Sequence, residues 1–249
     1  MVRVKTQRGY VMPGLGTIIN TAAIVAGGLL GLLFKNLLTK SMEDTLLKAS
    51  SVCVLFIGIG GAMSQMLKIT DGALATSGSM MLIICFVLGG LVGELLNIEG
   101  AFERFGAWLR KKTHNESDSG FLSGFIHASL TVCIGAMAVV GAINDGLFGD
   151  ISLLVTKSIL DAIIIMVMAA TMGKGCIFSA IPVAILQGGV TLLSRVIAPV
   201  MTDAAIASLS FTGSVMIFCV GVNLIWGKRI KVANLLPTLV FAVVYTFLF

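Results

Sequence analysis

Gly14-Leu-Gly-Thr-Ile-Ile-Asn-Thr-Ala-Ala-Ile-Val-Ala-Gly-Gly-Leu-Leu-Gly-Leu-Leu-Phe34 contains no charged residue, and its length matches the ~20 apolar residues with which an α-helix crosses a ~30 Å hydrocarbon layer. Similar blocks recur at 45–67, 74–96, 121–142, 151–172, 176–199, 204–226 and 232–249. With only 12% charged residues and a mean hydropathy of +1.04, the chain is too apolar to fold around one water-excluded core. A lipid bilayer is therefore its expected partner. Continuous apolar runs without alternation exclude a β-barrel, and only helices otherwise satisfy the backbone in lipid. The expected fold class is all-α, a polytopic transmembrane bundle of about eight spans.

At ~20 residues each, eight spans occupy roughly 160 positions, which leaves short loops and no room for a soluble catalytic domain. One integral membrane domain is expected over 12–249. Met12, immediately before Pro13-Gly14, is the expected natural start, with residues 1–11 an N-terminal extension. The 29 glycines exceed what a soluble helical protein tolerates, but glycine lets transmembrane backbones approach closely. Such packing also suits a homo-oligomer. Cys53, Cys85, Cys133, Cys176 and Cys219 stand singly in apolar runs with no CxxC spacing, as small buried hydrophobes do. The polar interval 97–119 mixes Phe102, Phe105, Trp108 and Leu109 with Glu103, Arg104, Arg110 and Lys111. An amphipathic helix lying in the membrane interface is expected there.

The net charge of +5 would point to nucleic acid in a soluble protein, but here the basic residues sort into alternate connections. Lys35, Lys40, Lys48, Arg104, Arg110, Lys111, Lys112, Lys174, Lys228, Arg229 and Lys231 fall on one side, against Lys68 and Arg195 on the other. The positive-inside rule then puts the former in the cytoplasm and both termini outside. Arg3, Lys5 and Arg8 in the arm run against this. No nucleic-acid partner is expected.

Three units open on paired glycines, Gly27-Gly28-Leu29-Leu30-Gly31, Gly89-Gly90-Leu91-Val92-Gly93 and Gly188-Gly189-Val190-Thr191-Leu192. Each leads to a second helix with a Phe or Cys two residues before a glycine: Phe56-Ile57-Gly58, Cys133-Ile134-Gly135 and Cys219-Val220-Gly221. From the second glycine of each pair the gaps are 30, 45 and 32 residues, the middle excess matching the amphipathic interval. By span parity the first two units enter from one side and the third from the other. Spans 3–5 and 6–8 are thus expected to be inverted repeats, an arrangement that in transporters places the site near mid-membrane. The plain alternative is chance recurrence in a glycine-rich chain.

The most polar apolar-region stretch is Gly141-Ala-Ile-Asn144-Asp145-Gly146-Leu-Phe-Gly149-Asp150-Ile-Ser-Leu-Leu-Val-Thr-Lys157-Ser158-Ile-Leu-Asp161. Asn144-Asp145-Gly146 reads as a turn and Asp150 as the N-cap of the next helix. Asn144, Asp145 and Asp150 would then flank the outer mouth, where they could concentrate cations. Lys157 and Asp161, four residues apart, share a helix face with Ser158 beside them. Intramembrane ionisable residues mark substrate or proton pathways by default, although a neutralised pair can merely hold helices together. Asn20, Gln187, Asn223 and Asn234 lie in other spans, with Ser129 and Thr131; such groups commonly join helices by hydrogen bonds. Pro182 and Pro237 free backbone carbonyls that can line a site. His127 reads as a packed or interfacial histidine. No metal, phosphate, dinucleotide or nucleophile motif is present, so neither a metal, a cofactor nor an enzymatic activity is expected.

The stretch Phe148-Gly-Asp-Ile-Ser-Leu-Leu-Val-Thr-Lys157-Ser158-Ile-Leu-Asp161, with Gly141-Ala-Ile-Asn-Asp-Gly before it, resembles the signature region of the YqgA/YdfK-like bacterial membrane proteins (domain of unknown function 554). Gly16-Thr-Ile-Ile-Asn20-Thr-Ala and Asn234-Leu-Leu-Pro237 carry the resemblance to both ends of the chain from Met12. It implies a multi-pass protein of the bacterial cytoplasmic membrane and adds Gly149 to a shortlist of matching positions: Asn20, Asn144, Asp150, Lys157, Ser158, Asp161 and Asn234. It implies no catalytic role and no substrate. From the residues, the expected function is secondary transport or channelling of a small ion or polar solute centred on Lys157 and Asp161. The competing class is a non-transporting scaffold, sensor or subunit.

Overall fold

A computed structural model describes residues 12–35, 37, 39–70, 73–116, 118–133 and 136–248. The arm 1–11, with Arg3, Lys5 and Arg8, and Ile134-Gly135 of the middle glycine unit lie outside the described residues. In chain order the elements are α1 (Leu15–Lys35), α2 (Lys40–Met66), β1 (Leu67–Thr70), β2 (Ala73–Thr76), α3 (Ser79–Leu96), α4 (Ile98–Lys112), α5 (Phe121–Cys133), α6 (Ala136–Phe148) and α7 (Ser152–Met172). A 3-10 segment, Lys174–Ser179, leads into α8 (Ala180–Leu192), followed by the short α9 (Ser194–Ile197), α10 (Asp203–Trp226), a second 3-10 turn at Val232–Leu235 and α11 (Pro237–Leu248). The fold is all-α apart from the β1–β2 hairpin. Among the described residues, six helices are long and apolar enough to cross a membrane; α5 and α6 make a seventh if taken as one span bent by 61°, and Val232–Leu248 is shorter.

Several boundaries differ from the sequence expectation. The second helix starts at Lys40 because Thr39 caps it, its hydroxyl accepting from Met42 N at 3.3 Å. The third starts at Ser79 instead of 74 because β1 and β2 pair antiparallel, Leu67 opposite Thr76 and Thr70 opposite Ala73. Asn144-Asp145-Gly146 lies inside α6 and is not a turn; the chain reverses at Gly149, whose φ of +67° suits glycine. The amphipathic helix α4 occupies the polar interval, and Asn97 caps it by accepting from Gly100 N at 3.2 Å. Pro182 is the third residue of α8 and Pro237 the first of α11, positions where a missing N–H breaks no interior hydrogen bond.

Glycine spacing sets the closest helix contacts. A Cβ at Gly27 would overlap the Ala162 carbonyl oxygen, and one at Gly31 that of Met166. Because both numbers rise together, α1 and α7 run parallel. In α3, Gly89 abuts the backbone of Thr238 and Gly93 that of Asn234, so α3 and α11 run antiparallel. The third glycine pair behaves otherwise: a Cβ at Gly188 or Gly189 meets nothing within 4 Å, whereas Gly90 has Leu235 at 3.5 Å. The units paired by the inverted-repeat expectation also differ in build, since one contains the α5/α6 bend and the other the continuous 24-residue α10.

Burial is arranged for lipid. Ile24, Phe121, Phe125, Leu154, Ile165, Met216 and Val220 fill the interior, while Leu29, Leu33, Ile83, Leu91, Ile163 and Val240 point outward and exposed. In water such a surface would drive aggregation; in a bilayer it carries no hydrophobic penalty. Polar side chains, among them Asn20, Lys157, Asp161 and Gln187, are gathered inside.

Candidate functional site

Four elements converge on Lys157. Its Nζ donates to Asp161 Oδ2 at 2.5 Å and to the Val132 carbonyl at 2.8 Å. Val132 is the penultimate residue of α5, just before the bend. Carbonyls in a helix's last turn have no intrahelical donor and carry the negative end of the helix dipole, so an ammonium there meets both needs. Asn20 of α1 donates from Nδ2 to Asp161 Oδ2 at 3.1 Å and to Gln187 Oε1 of α8 at 3.2 Å. Lys157 and Asp161 are 6% and 4% exposed, Asn20 and Gln187 0% and 1%.

Asn20 lies five residues after the start of α1, Lys157 five after the start of α7, and Gln187 five before the end of α8. At 1.5 Å per residue each is ~7.5 Å from its helix end, and Asp161 is ~13.5 Å along α7, near its middle. Capacity for hydrogen bonding is left over. Asn20 Oδ1 and Gln187 Nε2 are buried without a partner among the described residues, as are the hydroxyls of Thr17, one turn before Asn20, Thr191, one turn after Gln187, and Ser129, one turn before Val132. Each such group costs about 1–3 kcal/mol. Native interiors rarely keep several together without a use.

The other sequence candidates fall elsewhere. Asp145 is fully buried and does not flank a mouth: Oδ1 accepts from Gly14 N at 3.1 Å and Oδ2 from Gly16 N at 3.0 Å. It thus caps α1 from across the bundle, where a carboxylate also meets the positive end of the dipole. Asp150 is exposed and accepts from Ser152 N at 3.0 Å at the start of α7; hydrogen bonding to the Ser152 side chain, and then to its backbone N–H, lowers the Asp150 carboxyl pKa. Asn144 is half-buried, and its carbonyl accepts from Asp150 N at 3.3 Å. Ser158, beside Lys157, spends its hydroxyl on Val155 O at 2.7 Å.

Asn223 and Asn234 belong to the opposite end of the bundle and are not part of the Lys157 cluster. Asn223 brackets the loop after α10, accepting from Arg229 N and Ile230 N, both at 2.9 Å, and donating to Ile230 O at 2.7 Å. Asn234 accepts from Glu99 N at 2.7 Å and donates to Glu94 Oε2 at 2.6 Å. Around them Lys231 pairs with Glu94 at 2.5 Å, and Lys228 with both Glu99 and Glu103. Sequence reasoning missed Val132, whose contribution is a backbone carbonyl, and Thr17 and Thr191, which their i−3 and i+4 spacing from Asn20 and Gln187 could have revealed. Among the described residues no group of three or more His, Cys, Asp or Glu side chains is arranged to hold a metal ion.

An apolar exterior, six or seven candidate membrane-spanning helices among the described residues and an interior polar cluster define an all-α membrane protein. The chain belongs to the DUF554 family, described as proteins of unknown function, whose profile matches residues 15–247. It is similar to a Bacillus subtilis (strain 168) protein named uncharacterized membrane protein YdfK, with 29% identity over 232 residues covering 93% of this chain and 95% of that one. It is also similar to the uncharacterized protein YqgA of Escherichia coli (strain K12), with 27% identity over 235 residues covering 92% and 94%. No solved structure matches the chain.

Proposed function

We propose that this protein is a secondary transporter or channel for a small ion or polar solute, with Lys157, Asp161, Asn20 and Gln187 on the pathway and the α5/α6 bend as the element that moves. The observation carrying this reading is the Lys157 ammonium held between Asp161 and a carbonyl at a helix end next to a bend. Interrupted spans with free backbone carbonyls are how transporters build sites for charged species at depth. Asn20 Oδ1 and Gln187 Nε2, without a partner among the described residues, offer a spare acceptor and a spare donor on two side chains that are bonded to each other.

Removing one charge alone would strand the other, so the pair must change together. Lys157→Met with Asp161→Asn should insert, keep its oligomeric state and melt close to wild type, yet abolish flux in proteoliposomes. The probes are pyranine for protons under imposed Na⁺ or K⁺ gradients and a panel of radiolabelled small polar solutes. Undiminished flux would remove the pair from the pathway. The scaffold reading draws on the fact that Asn20 joins α1, α7 and α8. It is tested by a single cysteine at Asn20 in a cysteine-free background, which a small methanethiosulfonate should modify only if water reaches the cluster.

Orientation is part of the proposal. Lys35, Gly173 and Asp118 meet at one end of the bundle, where one cavity also brings together Leu47, Ser119, Met172 and Lys228. That end gathers the basic connections and is assigned to the cytoplasm of a bacterial cell, with both termini outside. Cysteines at Lys111 and Lys228 should be shielded from an impermeant thiol reagent in intact cells while one at Phe148 labels; the reverse pattern overturns the orientation.

A further inference from the structure

The basic end holds a cavity of about 430 Å³ that the transport reading does not use. Ile126 and Leu130 of α5 and Val220 and Leu224 of α10 form apolar walls. Its ionisable groups are His127, Glu99, Glu103 and Lys228, and Ser119, Ser123 and Asn223 are its neutral polar lining. The His127 tautomer follows from its partners: Nδ1 lies 2.8 Å from the Ser123 carbonyl and 3.2 Å from the Ser123 hydroxyl, and the nearer carbonyl can only accept, so Nδ1 carries the proton. Nε2 is then a bare acceptor, with no partner among the described residues. Glu99 is 5% exposed; Oε2 accepts from Ala233 N at 3.0 Å, and Oε1 lies 3.2 Å from Lys228 Nζ. Glu103 also pairs with Lys228. Burial alone would lower the Lys228 pKa, but hydrogen bonds to Glu103 and Glu99 outweigh it and raise the value, so the lysine stays charged.

Two carboxylates against one ammonium, with a neutral imidazole, leave the polar side of the cavity one negative charge in excess. We propose that it binds a small primary ammonium ion carried on an apolar body, the ammonium donating to Glu103 and His127 Nε2 and the body lying between Ile126, Leu130, Val220 and Leu224. The volume is that of a small-molecule site. An anion would meet the excess negative charge, and the Lys228 ammonium that could answer it is already held by Glu99 and Glu103. A quaternary ammonium has no N–H for His127. The adjoining cleft adds Arg104 and Lys231 to the same Glu99, Glu103 and Lys228, so selection for a cation arises inside the cavity and not at its approach. The ammonium could belong to a soluble amine or to an aminophospholipid headgroup.

The test is calorimetric titration of the intact protein in phosphatidylcholine nanodiscs with n-butylammonium, alongside butyrate, n-butanol and tetramethylammonium. Saturable binding of n-butylammonium alone is expected. Glu103→Gln should weaken it about tenfold and Lys228→Gln should tighten it severalfold, as loss of a charged hydrogen bond and removal of a competing cation require. Misfolding cannot produce opposite signs. Weaker binding in phosphatidylethanolamine nanodiscs would identify the lipid headgroup as the occupant in the membrane, and unchanged binding a soluble amine. No saturable binding, equal binding of butyrate, or the same direction of change in both variants would overturn the proposal. None of these outcomes depends on flux, so its failure and that of the transport reading are separate.

Discussion

The two ends of the bundle use the same chemistry at different depths. In the interior of one half, Lys157 and Asp161 pair with side chains 8% and 6% exposed; at the basic end, Lys231 and Glu94 pair at the same 2.5 Å with side chains 56% and 58% exposed. Distance is equal, so solvent decides what each pair does. Water screens the exposed pair and solvates either partner left alone, whereas the buried pair sits where an uncompensated charge has nowhere to go. The lesson is that only the buried pair constrains the fold as a unit, and only there does a change of protonation or partner have to move something.

The sharpest way to break this comparison is Asp161→Asn alone, which leaves the Lys157 ammonium with the Val132 carbonyl. A loss of about 3–5 kcal/mol is expected, read as lost folded yield or a lowered melting temperature. The double variant Lys157→Met with Asp161→Asn should recover most of it; if the single variant melts like wild type, the pair is not dry. Packing comes next: Gly31→Leu drives a side chain into the Met166 carbonyl of α7 and should cost at least the ~1–3 kcal/mol of overpacking. Gly188→Ala, where a Cβ meets nothing within 4 Å, should leave thermal stability unchanged or slightly raised. Equal losses at both positions would show that glycine content, not close approach, is what matters.

Smaller effects probe the caps and the surface. Asp145→Ala removes two backbone hydrogen bonds at the start of α1 and should cost about 1–2 kcal/mol, visible as faster hydrogen exchange at Gly14 and Gly16. Asp145→Asn, which still offers one acceptor, should lose less. At the exposed pair, Lys231→Met should leave the melting temperature of the purified protein unshifted, at low salt and at high salt alike. A shift comparable to that of the Lys157 cluster would mean that burial does not separate the two ends.

Much of the architecture was legible in the chain. Each apolar block contains helix, and Lys157 and Asp161 pair because i,i+4 spacing forces proximity on one helix. Asn20 and Gln187 were visible as polar residues in apolar runs. That Asn20 would bond both Asp161 and Gln187 was not, since hydropathy marks that a residue is polar without saying which neighbour answers it. For the same reason Asn223 and Asn234 looked no different from Asn20 and Gln187, although both tie loops and helix ends at the other side. Asp145 was misplaced because Asn-Asp-Gly has the local chemistry of a turn, while its carboxylate is claimed by the N-terminus of α1, more than a hundred residues away.

Composition and periodicity determined the solvent, the secondary structure and the places where backbones can touch, because transfer into lipid and the absence of a Cβ are properties of residues taken one at a time. Tertiary structure decided the partners. That Gly27 and Gly31 meet Ala162 and Met166 while Gly188 and Gly189 face open space, that a bend leaves the Val132 carbonyl for Lys157, and that Asn20 bridges α7 and α8 all depend on how helices are set against one another. Hydrogen bonds and close contacts are short-ranged and directional, so they are defined only once the packing brings distant segments within about 3–4 Å.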